Sequence, residues 1–483
     1  MVKTADEWQE NAQKYQFQLQ NDLLQFLAIP SVLDPETATF QKPFGVGIDK
    51  ALQFIADLGN RDGFSVQRVA DNMVVVIDYG PENAEETVGV LSHVDVVPGN
   101  DAAWHVTLPF SPKIIGDRLY GRGVHDMKAD LMASYYALKQ LKDEGFVPKK
   151  KIRLIFGSDE ESDWRDMQKY LSEVGEPTLG FSPDGTFPVV PGEKGVQTIE
   201  IKFQADDDFD HNLYQLLKFE SGNRDNVVPG VATACVKLPD NQDINLFLAK
   251  FEQYVTSTPL ITGVGQYADG NIRLTLYGKS VHGAYPEDGL NSATFLANFL
   301  MQYPFKNQAH AFLYLLGESN HQDVFAEHLG LAFHDAVMGD LTMNIGQVHY
   351  ILGKSGYIRI QFRFPVGVTE TAILTQVQRH MGGLDAKVFK ESRFGSQPHM
   401  VDLKDPIVTT LQSVYAQHTH TDKTYKISNG GSYARLLKRG VAFGGQFPDV
   451  AVMSHQPDEY VEITNIPRAQ AIFAQALYEL TKS

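Results

Sequence analysis

The chain has 483 residues, too many for one compact core and enough for two large domains. Hydrophobic residues make up 43% and charged residues 21%, with no low-complexity run, which excludes a disordered polypeptide. The 42 basic and 59 acidic residues leave a net charge of −17 that repels nucleic acid and anionic lipid, and a single cysteine, Cys235, excludes an intrachain disulfide or a cysteine-rich metal site.

The N-terminal MVKTADEWQE has no apolar leader, and no apolar stretch reaches the roughly 18 residues needed to span a bilayer. A cytoplasmic protein with no membrane and no nucleic-acid partner is expected. Trp8, Ala12, Tyr15, Leu19, Leu23, Phe26 and Leu27 recur at steps of three and four, with Thr4 and Glu7 spaced as a capping box and Pro30 closing the run. That pattern predicts an amphipathic helix, and Ala51, Leu52, Ile55 and Leu58 before Gly59 predict another. MVVVIDYG (73–80) and VGVLSHVDVV (88–97) read as buried strands. A helix at 126–145, the strand KIRLIFGS (151–158), a helical stretch at 163–173 and the short strand TLGFS (178–182) follow. This alternation predicts a doubly wound α/β sheet, which gathers function in loops at the carboxyl ends of its strands.

From about residue 196 the texture changes. VQTIEIKF, NIRLTLYG, LTMNIGQV and YIRIQFRF alternate as strands, with helical stretches near 246–255, 291–302 and 369–381, and predict an α+β layer of split βαβ, ferredoxin-like units. The α/β texture returns near 395 with a helix at 406–417, a Gly-rich turn at 429–431 and the strand-like VAFGGQF. The expected organisation is therefore a discontinuous domain of 1–195 and 395–483 carrying an inserted domain of 196–394.

Polar clusters follow the apolar strands. His93 and Asp95 alternate at the end of one strand, so period-two geometry directs both to one face. Asp126 opens the next helical stretch, where a helix cap is one reading and a carboxylate spanning two metals is another. Asp159, Glu160 and Glu161 follow the next strand, and adjacent glutamates in extended chain point apart, so their roles should differ. Asp184 in FSPDG reads alone as a turn residue, and His455 alone as a loop histidine. Together these acids and histidines form a hard-ligand set suited to a pair of zinc ions.

HVDVVP (93–98), YGRGVHDMKAD (120–130), SDEES (158–162), FSPDG (181–185), the HG pair at 282–283, SYAR (432–435) and HQPDEY (455–460) together resemble the co-catalytic zinc peptidases, a family that includes aminoacylases, carnosinases and bacterial dipeptidases. The resemblance covers nearly the whole chain. It implies His93 and Asp184 on one zinc, Glu161 and His455 on the other, and Asp126 bridging both. It implies Asp95 as the acid orienting His93, and Glu160 as the general base for water activated between the metals. The inserted segment resembles the family's lid, with His282 reaching over the site, Asn226 and Arg363 lining the substrate pocket, and Gly431 and Ser432 binding substrate from the SYAR region. A monomeric dipeptidase acting on a free N-terminal amine is implied, with manganese or cobalt as substitutes for zinc. An N-acyl amino acid deacylase and a non-catalytic binding module of the same fold are the alternatives. Asp163 and Ser432 depart from the family's usual glycine and threonine, and residues 385–400 match poorly.

Overall fold

The computed structural model describes residues 3–205, 212–391 and 394–483. The chain divides into two compact units, 1–193 with 400–483, and 194–399.

The first unit opens with two helices, Ala5–Gln13 and Gln16–Leu27, rather than one. The break falls where the Lys14 and Tyr15 amides donate to carbonyls three residues back instead of four. The capping box forms as the sequence suggests: Thr4 Oγ1 accepts from the Glu7 amide at 3.3 Å, and the Thr4 amide donates to Glu7 Oε2 at 2.7 Å. Trp8, Leu19, Leu23, Phe26 and Leu27 are buried, so the three-and-four spacing does mark the inward face.

The six-stranded sheet of this unit runs in the order Ser65–Val69, Val74–Tyr79, Lys151–Gly157, Thr87–His93, Leu179–Ser182, Gly440–Ala442. The last four are parallel to one another, and the first two pair antiparallel at one edge. The sheet is therefore mixed rather than uniformly parallel. Val74, Val75, Val88, Val90, Ile152, Leu154 and Ile155 are all fully or almost fully buried, as expected for strands covered on both faces. The crossover helix Ala129–Asp143 packs along the C-terminal helix Asn465–Thr481. Because three strands point the same way, the loops after His93, Gly157 and Ser182 all leave the same edge.

The second unit is built on an eight-stranded sheet in which every recorded ladder is antiparallel. Its order is Thr262–Ala268, Asn271–Tyr277, Val231–Lys237, Gln215–Ser221, Thr342–Ile351, Gly356–Phe364, Gly195–Phe203, Ala386–Lys390. Helix Ile244–Ser257 links Val231–Lys237 to Thr262–Ala268 with Asn271–Tyr277 lying between them, and helix Glu370–His380 links Gly356–Phe364 to Ala386–Lys390 with Gly195–Phe203 between them. Four of these strands, Gln215–Ser221, Val231–Lys237, Thr262–Ala268 and Ala386–Lys390, are not among the four that the sequence suggests, and they carry few large apolar residues on their inward faces. Val231–Lys237, for example, turns inward only Ala232, Ala234 and Val236, and the edge strand Thr262–Ala268 buries none of its residues. Among the described residues no helix is long and apolar enough to cross a membrane.

Candidate active site

The strand Thr87–His93 stops at His93, so Asp95 lies beyond it and the expected period-two alternation does not apply. The two residues nevertheless meet. His93 Nδ1 lies 2.9 Å from the Asp95 carbonyl oxygen and 3.4 Å from its carboxylate Oδ1. A hydrogen on Nδ1 leaves Nε2 as the lone-pair nitrogen, and Nε2 is buried without a hydrogen-bond partner among the described residues. It faces Asp126 Oδ1 at 3.4 Å and Asp184 Oδ2 at 3.7 Å.

Asp126 is not a helix cap. The helix begins at Ala129 after a turn at Val124–Lys128, and Lys128 occupies the cap position. The turn is entered through Gly123 at φ +82°, where a Cβ would lie 2.4 Å from Val96 Cγ1, so only glycine fits. Glu459 then holds the turn in place. Its carboxylate accepts from Arg122 Nη1 at 2.6 Å and from the amides of Gly123, His125 and Asp126 at 3.0, 2.7 and 3.2 Å. Nothing in the sequence marks Glu459, since an acid in a loop does not announce that it serves a backbone segment more than 300 residues earlier.

Asp126 turns its other oxygen to a second group. Asp126 Oδ2 lies 3.2 Å from His455 Nε2, which is also 3.1 Å from Glu161. His455 sits at φ +64°, a left-handed conformation that a non-glycine residue adopts only under constraint. Two donor sets result: His93, Asp126 and Asp184, and Asp126, Glu161 and His455, each with its ligand atoms within 4.8 Å of one another.

The three consecutive acids have distinct partners. Asp159 is buried and held by Arg165 through the backbone amide at 3.0 Å, Nε at 2.7 Å and Nη2 at 2.6 Å. The Glu161 amide donates to Asp95 Oδ2 at 3.0 Å, which fixes Glu161 toward His455. Residues 160–163 form a turn, so it is this turn and not strand alternation that separates Glu160 from Glu161.

The electrostatics call for positive charge. Burial together with Asp126 pushes Asp184 up to about 7, and burial together with Asp184 raises Glu160 well above the usual carboxylate range. Hydrogen bonds to Asp126 and Glu161 lift His455 to about 10. Burial opposes a charge on His93, yet Asp126 and Asp95 outweigh it and hold the imidazole well above its ordinary value. Burial likewise works against the Asp126 anion, but the two histidines keep it far below the normal range. A buried lone-pair nitrogen, a second imidazole and crowded carboxylates fit divalent cations by the chemistry of the donor set.

Gly431 and Ser432 line a cavity of about 270 Å³ together with His125, Asp130, Asp184 and Ser454. Ser432 is already engaged there: its amide and hydroxyl donate to Glu193 at 3.1 and 2.8 Å, and Arg435 Nε donates to the same carboxylate at 2.8 Å. In the inserted unit, Asn226 and His282 are exposed and adjacent, the Gly283 amide donating to the Asn226 carbonyl at 2.7 Å. Arg363 is buried on Gly356–Phe364, with Nη2 donating to Gln361 Oε1 at 2.7 Å.

The model of the peptidase family M20/M25/M40 matches residues 89–479, and the chain belongs to that family. Membership makes it a metal-dependent peptidase by class. Among its relatives, the Bacillus subtilis (strain 168) protein named "Putative dipeptidase YtjP" is 35% identical over 475 residues, covering 98% of this chain and 100% of the relative. SAB1611c of Staphylococcus aureus (strain bovine RF122 / ET3-1), of the same designation, is 37% identical over 479 residues, covering 98% and 99%. The fold is shared with human carnosine dipeptidase 1 at a TM-score of 0.59 and 13% identity, covering 99% of this chain and 98% of that one. It is shared also with the dipeptidase Dug1p of Saccharomyces cerevisiae at a TM-score of 0.58 and 14% identity, covering 98% of both.

Proposed function

We propose that this protein is a dipeptidase that hydrolyses dipeptides with a free N-terminal amine, using two zinc ions and a glutamate general base. The observation that carries the reading is Asp126, whose two carboxylate oxygens face different histidines in two otherwise separate donor sets. His93 and Asp184 would hold one ion, Glu161 and His455 the other, and Asp126 both. The chemistry supplied by such a pair is Lewis-acid charge at the scissile carbonyl and a lowered pKa for water, toward neutrality.

The chain's own residues do the rest. Glu160 takes the proton of the attacking water and returns it to the leaving amine, a task suited to a carboxylate whose affinity for protons is raised by burial and by Asp184. Asp95 fixes the tautomer of His93 and the backbone of Glu161. The inserted unit acts as a ferredoxin-like lid of two split βαβ halves, in which His282 stabilises the oxyanion, Arg363 grips the substrate carboxylate, and Asn226 binds substrate. Gly431 and Ser432 shape the substrate cavity. The eight-stranded sheet of the inserted unit is formed within one chain, which favours a monomer. A cytoplasmic location fits a protein that consumes small peptides.

The test is to incubate metal-loaded and chelated protein with dipeptides, a tripeptide and N-acetyl amino acids and to measure free products. Cleavage of dipeptides by the loaded protein alone supports the reading. Cleavage of only the acetylated compounds overturns it in favour of a deacylase, and zinc binding without turnover of any of them favours a binding module.

A further inference from the structure

The cavity beside Asp184 adjoins a smaller chamber of about 30 Å³, and the two share His125, Asp130 and Gln446 as a common wall. Asp130 stands in the first turn of helix Ala129–Asp143. Gly445, at φ +82°, passes so close that a Cβ there would lie 2.6 Å from Asp130 Oδ2 and 2.9 Å from the Pro183 carbonyl oxygen, which brings the carboxyl up against the segment that carries Asp184.

Four wholly or partly buried aspartates of this unit are paired with arginines. Asp22 is held by Arg61, Asp78 by Arg153, Asp159 by Arg165 and Asp405 by Arg439. Asp130 is held by none: no hydrogen bond or ion pair meets its carboxyl among the described residues. Burial, and then the charges of Asp184 and Asp126, raise its pKa well above the ordinary range. Three acids line the larger cavity. Asp184 belongs to a donor set, and Glu193 is saturated by Ser432 and Arg435. Only Asp130 is left to answer a positive charge on a bound molecule.

We propose that Asp130 receives the free α-ammonium of the substrate and so separates unblocked peptides from N-acylated ones. The inference rests on the dipeptidase reading. An ammonium brought beside a divalent pair is repelled unless a carboxylate of its own faces it, and an acylated nitrogen carries no charge for Asp130 to meet. Asp130 thus acts as a specificity residue, outside both donor sets.

The experiment compares Ala-Ala with N-acetyl-Ala-Ala, first by turnover in the metal-loaded wild type and Asp130→Asn, then by calorimetric binding in a Glu160→Gln background with and without Asp130→Asn. Metal content is measured in every sample. The expected result is a kcat/KM for Ala-Ala lowered roughly 10- to 100-fold, mainly through KM, with Kd raised by the same factor and binding of N-acetyl-Ala-Ala unchanged. Equal Kd ratios with and without Asp130→Asn overturn the proposal. Should Asp130→Asn fail to fold, Asp130→Ser carries the same comparison. A loaded wild type that cleaves only acylated compounds removes the dipeptidase reading and this inference together, whereas a wild type that prefers Ala-Ala while Asp130→Asn keeps that preference removes this inference alone.

Discussion

Replacing Glu459 by glutamine is the sharpest probe of how the Asp126 turn is held. The native carboxylate, 1% exposed, accepts four hydrogen bonds, from the amides of Gly123, His125 and Asp126 and from Arg122. A glutamine can keep its carbonyl oxygen toward His125 and Asp126. Its NH₂ then confronts the Gly123 N–H and the Arg122 guanidinium, donor against donor, and Arg122 is left as a buried cation 4% exposed. Two unsatisfied donors at ~1–3 kcal/mol each, in a buried ion pair whose disruption typically costs ~3–5 kcal/mol, put the loss at about 3–5 kcal/mol. Because the lost contacts, the Gly123 amide and Arg122, anchor the turn that carries Asp126, metal affinity should fall with stability, by roughly 10- to 100-fold. Urea unfolding of the metal-free variant and a chelator competition of the loaded one measure the two effects separately. A Glu459→Gln protein with the wild-type urea midpoint and wild-type metal affinity refutes the reasoning.

Three further outcomes follow from the same geometry. Glu160→Gln should retain both metals, as measured by elemental analysis, while kcat drops by roughly 10²–10⁴, the usual contribution of a general base; a fall in bound metal would instead make Glu160 a ligand. Dialysis against a chelator should abolish peptidase activity, and readdition of zinc, manganese or cobalt should restore it, with the thermal midpoint rising on reloading because ligands that bind only the folded form stabilise it. His418, buried against Gln475 Oε1 at 2.8 Å, is depressed by burial from 6.5 to about 4. The unfolded chain therefore takes a proton that the folded one refuses, so stability is full above about 6.5 and declines as pH falls toward 4, by about 3 kcal/mol. His418→Gln should flatten that part of the urea stability profile, and an unchanged slope would count against the assignment.

Strand-forming runs of Val and Ile, the capping box at Thr4 and the return of α/β texture after the insertion are legible in the sequence because each is written in local spacing. The site is legible only in part. His93, Asp126, Glu161, Asp184 and His455 stand where chemistry makes them conspicuous, but what makes Asp126 a shared ligand candidate rather than a cap is the start of the helix at Ala129, a matter of three residues. Asp95 meets His93 through its carbonyl as well as its carboxylate because the strand has already ended. Glu459 and Asp130 escape notice for opposite reasons. One is saturated by backbone donors from a distant segment, and the other is defined by the partners it lacks, and neither condition leaves a periodic trace.

The run Asp159, Glu160, Glu161 shows how three nearly equivalent acids acquire different duties. Identity does not distinguish them, since all three are carboxylates of similar intrinsic acidity. Position in the turn alone does not either, since a one-residue shift would exchange their directions. The assignment is made by hydrogen bonds from outside the run. Arg165 takes Asp159 with a backbone and two guanidinium donors, which removes it from the chemistry. Asp95 takes the Glu161 amide, and His455 stands 3.1 Å from the Glu161 carboxylate, which commits that side chain to the second donor set. Among the described residues Glu160 is tied only at its backbone, where its carbonyl accepts from Trp164 Nε1 at 2.7 Å, which leaves its carboxylate available for the proton transfer proposed above. Exchanging the neighbours should therefore exchange the roles. Arg165→Ala should free Asp159 as a competing acid and lower kcat without changing metal content, and a fully active Arg165→Ala enzyme would show that the allocation does not depend on this clamp.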